Sequence, residues 1–238
     1  MAFVWVKNST GLASATASST GTITFATAPA AGNLIVVNIG GWKATGTGIT
    51  SVTDNQGNSY SIVANPHTDA VSMACIAYAK NIVYTSGTFT ITITASGTYY
   101  FTGMASEFSG SSSTSPLDVY GSGTGAAAIT CTATTSGSVS AVDDLVVAVA
   151  NNATGGGDCA WVNPTGYTQI FQNGSSGGSY SATQACYKIL TAGSGAQNAV
   201  WTWTGSVTWS CVIATFRLTG GAVDPPRIFF KPKTTLRM

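Results

Sequence analysis

The chain of 238 residues is long enough to bury a substantial core, as one large all-β domain or as two smaller ones. Charged residues make up 7% of it, against about 25% in an ordinary soluble domain, and Gly, Ser, Thr and Ala take their place. This composition argues against a cytosolic enzyme and is typical of β-rich surface and virion proteins. Hydrophobic residues reach 44% and recur in strand-length runs, which argues against disorder.

The N-terminal segment 1–7 has a short apolar run and no basic region ahead of it, so it does not resemble a secretory signal. No stretch approaches the roughly 20 apolar residues that cross a bilayer. We therefore expect a protein that is not exported by the general secretory route and that has no membrane partner.

The first half predicts six strands separated by turns rich in Gly, Asn and Ser. They cover residues 22–25, 33–39, 59–64, 73–79, 88–94 and 104–108. In the fifth, Phe89, Ile91 and Ile93 alternate with threonines, as in an antiparallel strand with one buried and one wet face. Tight turns are predicted at 54–58, 86–87 and 96–97.

The second half repeats this order of strands at an offset near 110 residues. Its predicted strands cover residues 128–133, 144–150, 166–172, 181–190, 199–205 and 212–218. Six matches in one order predict an internal duplication of a six-stranded unit. We expect an all-β fold, an antiparallel two-sheet β-sandwich over 1–220, with repeat one at about 20–110 and repeat two at about 126–218. Two tandem sandwiches, linked by 109–125, are the alternative.

A family resemblance lies in the succession "GNLIVVNIGGW", "SVTDNQGNSYSIV", "AYAKNI", "FTITIT", "SEFSG" and "SPLDVYGS", followed later by "GYTQIF" and "ATFRL". This pattern resembles the Gly/Ser/Thr-rich, jelly-roll type repeat of tailed-bacteriophage structural proteins and of some bacterial surface proteins. The resemblance covers roughly 20–218. It implies a jelly-roll like β-sandwich with a structural or adhesive role, and it supplies no catalytic residues.

The chain ends in a basic and apolar segment. Its last twelve residues carry four of the nine Lys and Arg, and the rest of the chain carries five basic and eight acidic residues. Because 220–221 is a Gly pair and 225–226 a Pro pair, we predict an extended C-terminal arm over 221–238. Its expected partner-binding residues are Arg227, Ile228, Phe229, Phe230, Lys231, Lys233, Leu236 and Arg237. The remaining body is too acidic to predict a nucleic-acid partner.

Residues for catalysis or metal binding are sparse. The single histidine, His67, stands near Asp69, and no nucleophile motif accompanies it. The acidic pair at 143–144 and the segment 54–58 predict turns and not a calcium loop. Glu107 is expected on a solvent face or an interface. The sequence thus predicts a non-enzyme with no cofactor and no metal.

Five cysteines stand at spacings that match no metal-ligand motif: Cys75, Cys131, Cys159, Cys186 and Cys211. Four lie in strand-like runs, where a cysteine acts as a small buried hydrophobe. Cys159 lies in a Gly-rich loop and is the one expected to be exposed. We predict that the protein folds without disulfides.

Two readings are open for the tryptophans. Trp201 and Trp203 share one face of a strand, and a core role is favoured over a sugar-binding role because the matching strand of the first half carries isoleucines. Trp42 and Trp161 stand at loop edges and are the candidates for a contact with a glycan.

These features predict a bacteriophage virion structural protein on the particle surface, assembled in the host cytoplasm. A capsid decoration or cement protein anchored by its C-terminal arm is favoured. Its expected partners are other virion proteins of the capsid or tail and further copies of itself, for instance in a trimer. The alternative is a tail-fibre module that binds a receptor or a host-surface glycan, and a third candidate is a hydrolase around His67.

Overall fold

The structure is a computed structural model that describes residues 2–43, 47–66, 72–139, 143–153, 160–174, 181–191 and 195–219. These ranges contain thirteen β-strands and no helix, so they contain no helix that could cross a membrane. The strands are β1 (Val4–Asn8), β2 (Leu12–Ala13), β3 (Ser18–Phe25), β4 (Leu34–Lys43), β5 (Ile49–Asp54), β6 (Tyr60–Ala64), β7 (Ser72–Ala79), β8 (Phe89–Ser109), β9 (Leu117–Ser138), β10 (Leu145–Ala153), β11 (Thr168–Gly174), β12 (Ala182–Ile189) and β13 (Ala196–Phe216).

The strands form two antiparallel sheets, which confirms an all-β fold of the sandwich kind. The first sheet has eight strands in the order β1-β8-β4-β7-β6, with β2, β3 and β5 also pairing with β8. The second has five strands in the order β11-β12-β10-β13-β9. The first sheet is drawn from the first half of the chain and the second from the second half.

Each sheet is organised around one long bent strand. In β8, the part up to Ala95 pairs with β3 and β5, and the part from Tyr99 onward pairs chiefly with β1, β2 and β4. The turn predicted at 96–97 is therefore wrong as a hairpin, because the strand continues through it. Glycine inside a strand often marks a bend and not a turn. β13 bends in the same way at Gly205, whose φ is 84°.

Three strands escaped the sequence analysis. β1 and β2 are short edge strands on β8. β5 ends at Asp54 and pairs with β8, whereas the next strand, β6, pairs with β7. The segment 54–58 is thus a tight turn, as predicted. It does not close a hairpin, because the strands on its two sides, β5 and β6, pair with different strands, β8 and β7.

The bends fold part of each sheet over the rest, so that each half encloses an apolar core between two layers. In the first half, Phe25, Ile91 and Val52 from β3, β8 and β5 share a buried cluster with Val37 of β4 and Cys75 of β7. In the second half, the start of β13 and the end of β9 pack in the same manner over β10, β12 and the end of β13. Each half therefore encloses its own apolar core.

A third apolar cluster joins the two halves. It lies between the faces of β4 and β7 that point away from the core of the first half and the faces of β10 and β13 that point away from the core of the second half. The body is thus stacked in four β-layers. The fully buried members of this cluster include Leu34, Val36, Ala74, Ile76, Leu145, Val147, Val149, Val212, Ala214 and Phe216. β4 and β10 are consequently buried on both faces, which is why they are continuous apolar runs and do not alternate.

A buried polar cluster closes one end of this central interface. The Nδ2 of Asn151 donates to Ser72 Oγ at 2.8 Å and to Gly41 O at 3.2 Å, and its Oδ1 accepts from Thr183 Oγ1 at 2.7 Å. A buried polar group has given up its hydrogen bonds to water and is costly unless a protein group replaces them. These bonds therefore fix how the two halves sit on each other.

Gly40 provides a specific test of this interface. A Cβ at Gly40 would clash with the side chain of Thr183 across the interface, whereas a Cβ at Gly137 on β9 would meet only Val119, at 4.0 Å. We expect Gly40→Ala to lower the free energy of unfolding by about 1–3 kcal/mol through overpacking, and Gly137→Ala to be nearly neutral. Chemical denaturation of both variants measures this, and equal stabilities would contradict the packing described.

Candidate functional site

Glu107, expected on a solvent face or an interface, is fully buried within β8, so the solvent-face expectation is wrong. Its Oε1 accepts hydrogen bonds from Ala30 N at 2.8 Å and from Asn33 Nδ2 at 2.5 Å. Its Oε2 lies 3.3 Å from Nζ of the partly exposed Lys7. A buried carboxylate needs such partners. Glu107 thereby ties the edge strand β1 and the segment after β3 to β8, which is a structural role.

Asp54 begins the turn that resembled a calcium loop. Its Oδ1 accepts from the backbone N of Gln56 at 2.9 Å and of Asn58 at 3.1 Å, and its Oδ2 accepts from Asn58 Nδ2 at 2.9 Å and from the Tyr60 hydroxyl at 3.0 Å. Burial, helped by the Asp54 charge, raises the pKa of Tyr60 far above its usual value. Protein donors therefore use both carboxylate oxygens, and the segment acts as a turn.

The amides of the same turn hold a neighbouring segment. Asn55 bonds both Thr88 O and Thr90 N, and Gln56 bonds Ser86 O and the backbone N of Thr85. Asn58 likewise donates to and accepts from the backbone of residue 83, at 3.0 and 2.7 Å. The side chains of "DNQGN" thus hold the segment 83–90 by hydrogen bonds against the turn that precedes β6.

The other described carboxylates do not form a shared site. Asp118 pairs with Arg217 through Oδ1, at 2.6 Å from Nη2 and 3.1 Å from Nε. Asp144 is buried and accepts from Leu218 N at 3.3 Å, while Asp143 occupies a turn with φ of 64°. Within the ranges that the structure describes, no group of three His, Cys, Asp or Glu could hold a metal ion.

Several predicted residues lie outside the described residues. They are His67, Asp69, Cys159 and the whole C-terminal arm, with Arg227, Ile228, Phe229, Phe230, Lys231, Lys233, Leu236 and Arg237. The predictions made for them remain predictions.

The four described cysteines are free and buried thiols. Cys131, Cys186 and Cys211 share the core of the second half, and Cys75 belongs to that of the first. Burial raises the pKa of Cys75 to about 12 and raises that of Cys186 further. A thiol that stays protonated at neutral pH is a poor nucleophile, so Cys75 and Cys186 act as core residues.

The tryptophans divide into core and edge residues. Trp201 and Trp203 are 0% and 5% exposed, which confirms the core role. Trp161 is half-buried, with its ring centroid 5.0 Å from that of Trp203. Trp42, also half-buried, lies 5.6 Å from the ring of Tyr100 at the end of β4. Trp42 and Trp161 each pack on an aromatic neighbour of their own half, and part of each side chain remains available for contact.

A groove of about 280 Å³ lies on the outer layer of the second half, next to Trp161. Val162 lines it and donates a hydrogen bond from its backbone N to Thr202 O at 2.8 Å. The groove combines exposed apolar side chains, Val162 at 60% and Val200 at 44%, with amide and hydroxyl groups. Its lining residues are Val162, Asn163, Pro164, Thr165, Asn198, Val200 and Thr202.

The outer layer of the first half carries a threonine face. On adjacent strands, Thr22 of β3 pairs with Thr92 of β8, and Thr92 pairs on its other side with Thr53 of β5. Further threonine pairs, 24 with 90 and 20 with 94, flank this row. Threonine keeps a sheet face wet without charge, so this surface is polar and uncharged, as the alternating pattern predicted.

The edge strand β1 presents three consecutive exposed apolar residues. Val4, Trp5 and Val6 are 54%, 39% and 40% exposed. Among the strands that the structure describes, β1 pairs only with β8, so its other edge has no strand partner there. Exposed apolar edges of this kind are unusual in isolated domains, which normally blunt them.

The described chain also ends beside β1. The backbone N of Thr219 donates to Gly110 O at 2.8 Å. A Cβ at Gly110 would lie 2.8 Å from the backbone O of Ala2, two residues before β1. Thr219, the last described residue, therefore lies near the start of the exposed edge strand β1.

Comparisons with protein-family models, with curated proteins and with solved structures found no significant match.

Thiol chemistry tests the placement of the cysteines. At pH 8 a thiol with a pKa of about 12 is ionised in only roughly one molecule in ten thousand, so Cys75 should not react with a thiol reagent in the folded protein. We expect Cys159→Ser to remove the fast-reacting thiol, with the other four reacting at least 100-fold more slowly than in denaturant. Rapid labelling of the Cys159→Ser variant while it remains folded would contradict this.

Proposed function

We propose that the protein is a non-enzymatic structural protein on the surface of a tailed-phage particle, a capsid decoration or cement protein attached by its C-terminal arm. The observation that carries this proposal is the exposed apolar edge of β1, which begins near Thr219, the last described residue before the arm. Such an edge is suited to contact with another protein chain.

The use of the acidic groups supports a structural role. Glu107, Asp54, Asp118 and Asp144 each bind donors of the same chain and hold strands, turns or segments together. The named residues of the threonine face and of the groove are all uncharged. The proposal also draws on the resemblance of 20–218 to phage structural repeats.

The proposal includes an internal duplication of a jelly-roll like unit. The strand order β6-β7-β4-β8-β3 in the first half corresponds to β11-β12-β10-β13-β9 in the second. The registers support the same correspondence, since Leu34 pairs with Phe108 and Leu145 pairs with Phe216. A repeat that exposes an apolar sheet face gains stability by packing on a second copy of itself, as at the central interface.

In the arm, apolar residues should contribute most of the binding. Full burial of a side chain such as Phe229 or Ile228 contributes roughly 1.5–3 kcal/mol before ordering costs. Exposed ion pairs made by Lys231 or Lys233 contribute only about 0–1 kcal/mol and are screened by salt. The basic residues then guide docking more than they hold it.

Paired alanine variants test the attachment. Phe229→Ala with Phe230→Ala should weaken association with particles at least tenfold more than Lys231→Ala with Lys233→Ala. Removal of 222–238 should abolish association and leave a folded body. Co-sedimentation with purified particles that lack the protein measures all three. Full binding by the truncated protein would refute attachment by the arm.

A second candidate is a tail-fibre module that binds a host-surface glycan. The groove beside Trp161 favours it, because sugar rings need both an apolar surface and a few amide or hydroxyl partners. Asn198 and Val200 offer these two kinds of contact on the exposed side of β13. Trp42 offers a half-buried ring elsewhere on the body.

Glycan arrays distinguish this second candidate from the first. If it is right, the protein binds a defined glycan, and Asn198→Ala weakens that binding at least tenfold. Thr92→Ala, on the threonine face of the other half, serves as the matched control and leaves it unchanged. Equal binding by both variants, or no glycan binding at all, rules out the groove.

A further inference from the structure

Each half of the body takes an edge strand from the segment that precedes it. In the first half, β1 pairs with the end of β8. In the second half, the start of β9 pairs with the end of β13, from Leu117 opposite Phe216 to Gly125 opposite Trp209. The segment after β8 therefore does not return to β8. It crosses to the other half and serves as that half's edge strand.

A segment of the same kind follows β13. The start of β9 is preceded by Pro116 and reads "PLDVY", and residues 226–230 read "PRIFF". The two segments are 110 residues apart, the offset that relates the other strands of the two halves. Pro116 follows Phe108 by eight residues, and Pro226 follows Phe216 by ten. Residues 226–230 thus stand where the sequence would place a third edge strand.

Both described halves already have their edge strands. A third one needs a further sheet edge, and the exposed edge of β1 is the best match. Its apolar residues Val4, Trp5 and Val6 suit Ile228, Phe229 and Phe230 of the arm. The corresponding part of β9 instead exposes Tyr120, Ser122 and Thr124. Main-chain hydrogen bonds along the edge would supply affinity, and the apolar side chains would set the register.

The geometry of the exit favours the edge of a second copy over that of the same chain. Thr219 bonds Gly110, which lies against Ala2 just before β1, so an arm that turned directly onto its own β1 would run parallel to it. Every strand pair that the structure describes is antiparallel. The eight residues from 220 to 227 reach up to roughly 28 Å, enough for the arm to leave its own body. An arm from a second copy can approach β1 antiparallel.

We propose that residues 226–230 of one copy add a strand to the free edge of β1 of a second copy, so that copies associate head to tail. This inference rests on the proposed function only for the role of the arm as an attachment device. A head-to-tail contact of this kind closes into a ring or continues as a filament, depending on its rotation. The arm would then join decoration subunits to one another.

Cross-linking between two marked copies tests the contact. Both copies carry Cys159→Ser. The acceptor lacks 222–238 and carries Val4→Cys, and the donor is the full chain with Lys231→Cys. We expect a short bis-maleimide to give a covalent heterodimer. The control acceptor carries Thr22→Cys on the threonine face and should give at least tenfold less product. Equal yields from the two acceptors, or no product, would overturn the proposal.

A single full-length Cys159→Ser chain that carries both Val4→Cys and Lys231→Cys distinguishes the two sources of the arm. Cross-linked dimers and larger species support exchange between copies. A product that remains monomeric in denaturing gels shows that the arm folds onto its own chain and overturns the proposal.

Light scattering on the unmodified protein gives an independent measure without any engineered cysteine. The full chain should form oligomers, and the truncated chain should be monomeric. Because the truncated chain accepts an arm but cannot donate one, adding it should shorten the oligomers. Val6→Asp in the truncated chain should weaken this effect at least tenfold. Oligomers that persist without the arm would contradict strand exchange, and because no particles are used, the result is independent of attachment to a phage.

Discussion

The close packing of the two central layers is the constraint on which the rest of the structure depends. β4 and β7 face β10 and β13 across an interface of fully buried aliphatic and aromatic side chains. Gly40 permits the close approach of Thr183, and Asn151 closes the end of the interface with bonds to Ser72 and Gly41. Because β4 and β10 also face the inner cores of their own halves, they have no wet side.

This arrangement decides which surfaces are left for function. The central layers are covered, so the molecule presents two outer faces, the loop ends of the strands and the edges of its sheets. One outer face carries threonine rows and the other carries the groove beside Trp161. The edge of β1 is the surface where exposed apolar residues are most concentrated in the described chain. These are the surfaces left for contact with other molecules, and the role in a particle that we propose relies on them.

Most strands could be predicted from local pattern, and most errors came from long-range pairing. The alternation of 88–94 predicted a half-buried strand, and β8 contains most of it. The sequence did not show that this strand continues through Gly97, because a glycine that ends one strand looks the same as a glycine that bends it. Glu107 was expected in a solvent-facing or interface position since carboxylates seldom lie inside, and only its contacts with Lys7, Ala30 and Asn33 explain its burial.

The sequence by itself determined the all-β class, the strand-rich halves and the uncharged polar surface, since these follow from composition and from periodicity along the chain. It also placed Trp201 and Trp203 in a core by comparison with isoleucines of the first half. Only the tertiary structure decided that the halves stack in four layers, that the amides of "DNQGN" fasten a distant segment and that β1 leaves an open apolar edge. Those features depend on which strands pair and pack together. The contacts that stabilise such pairing join residues far apart in the chain, which local sequence patterns do not encode.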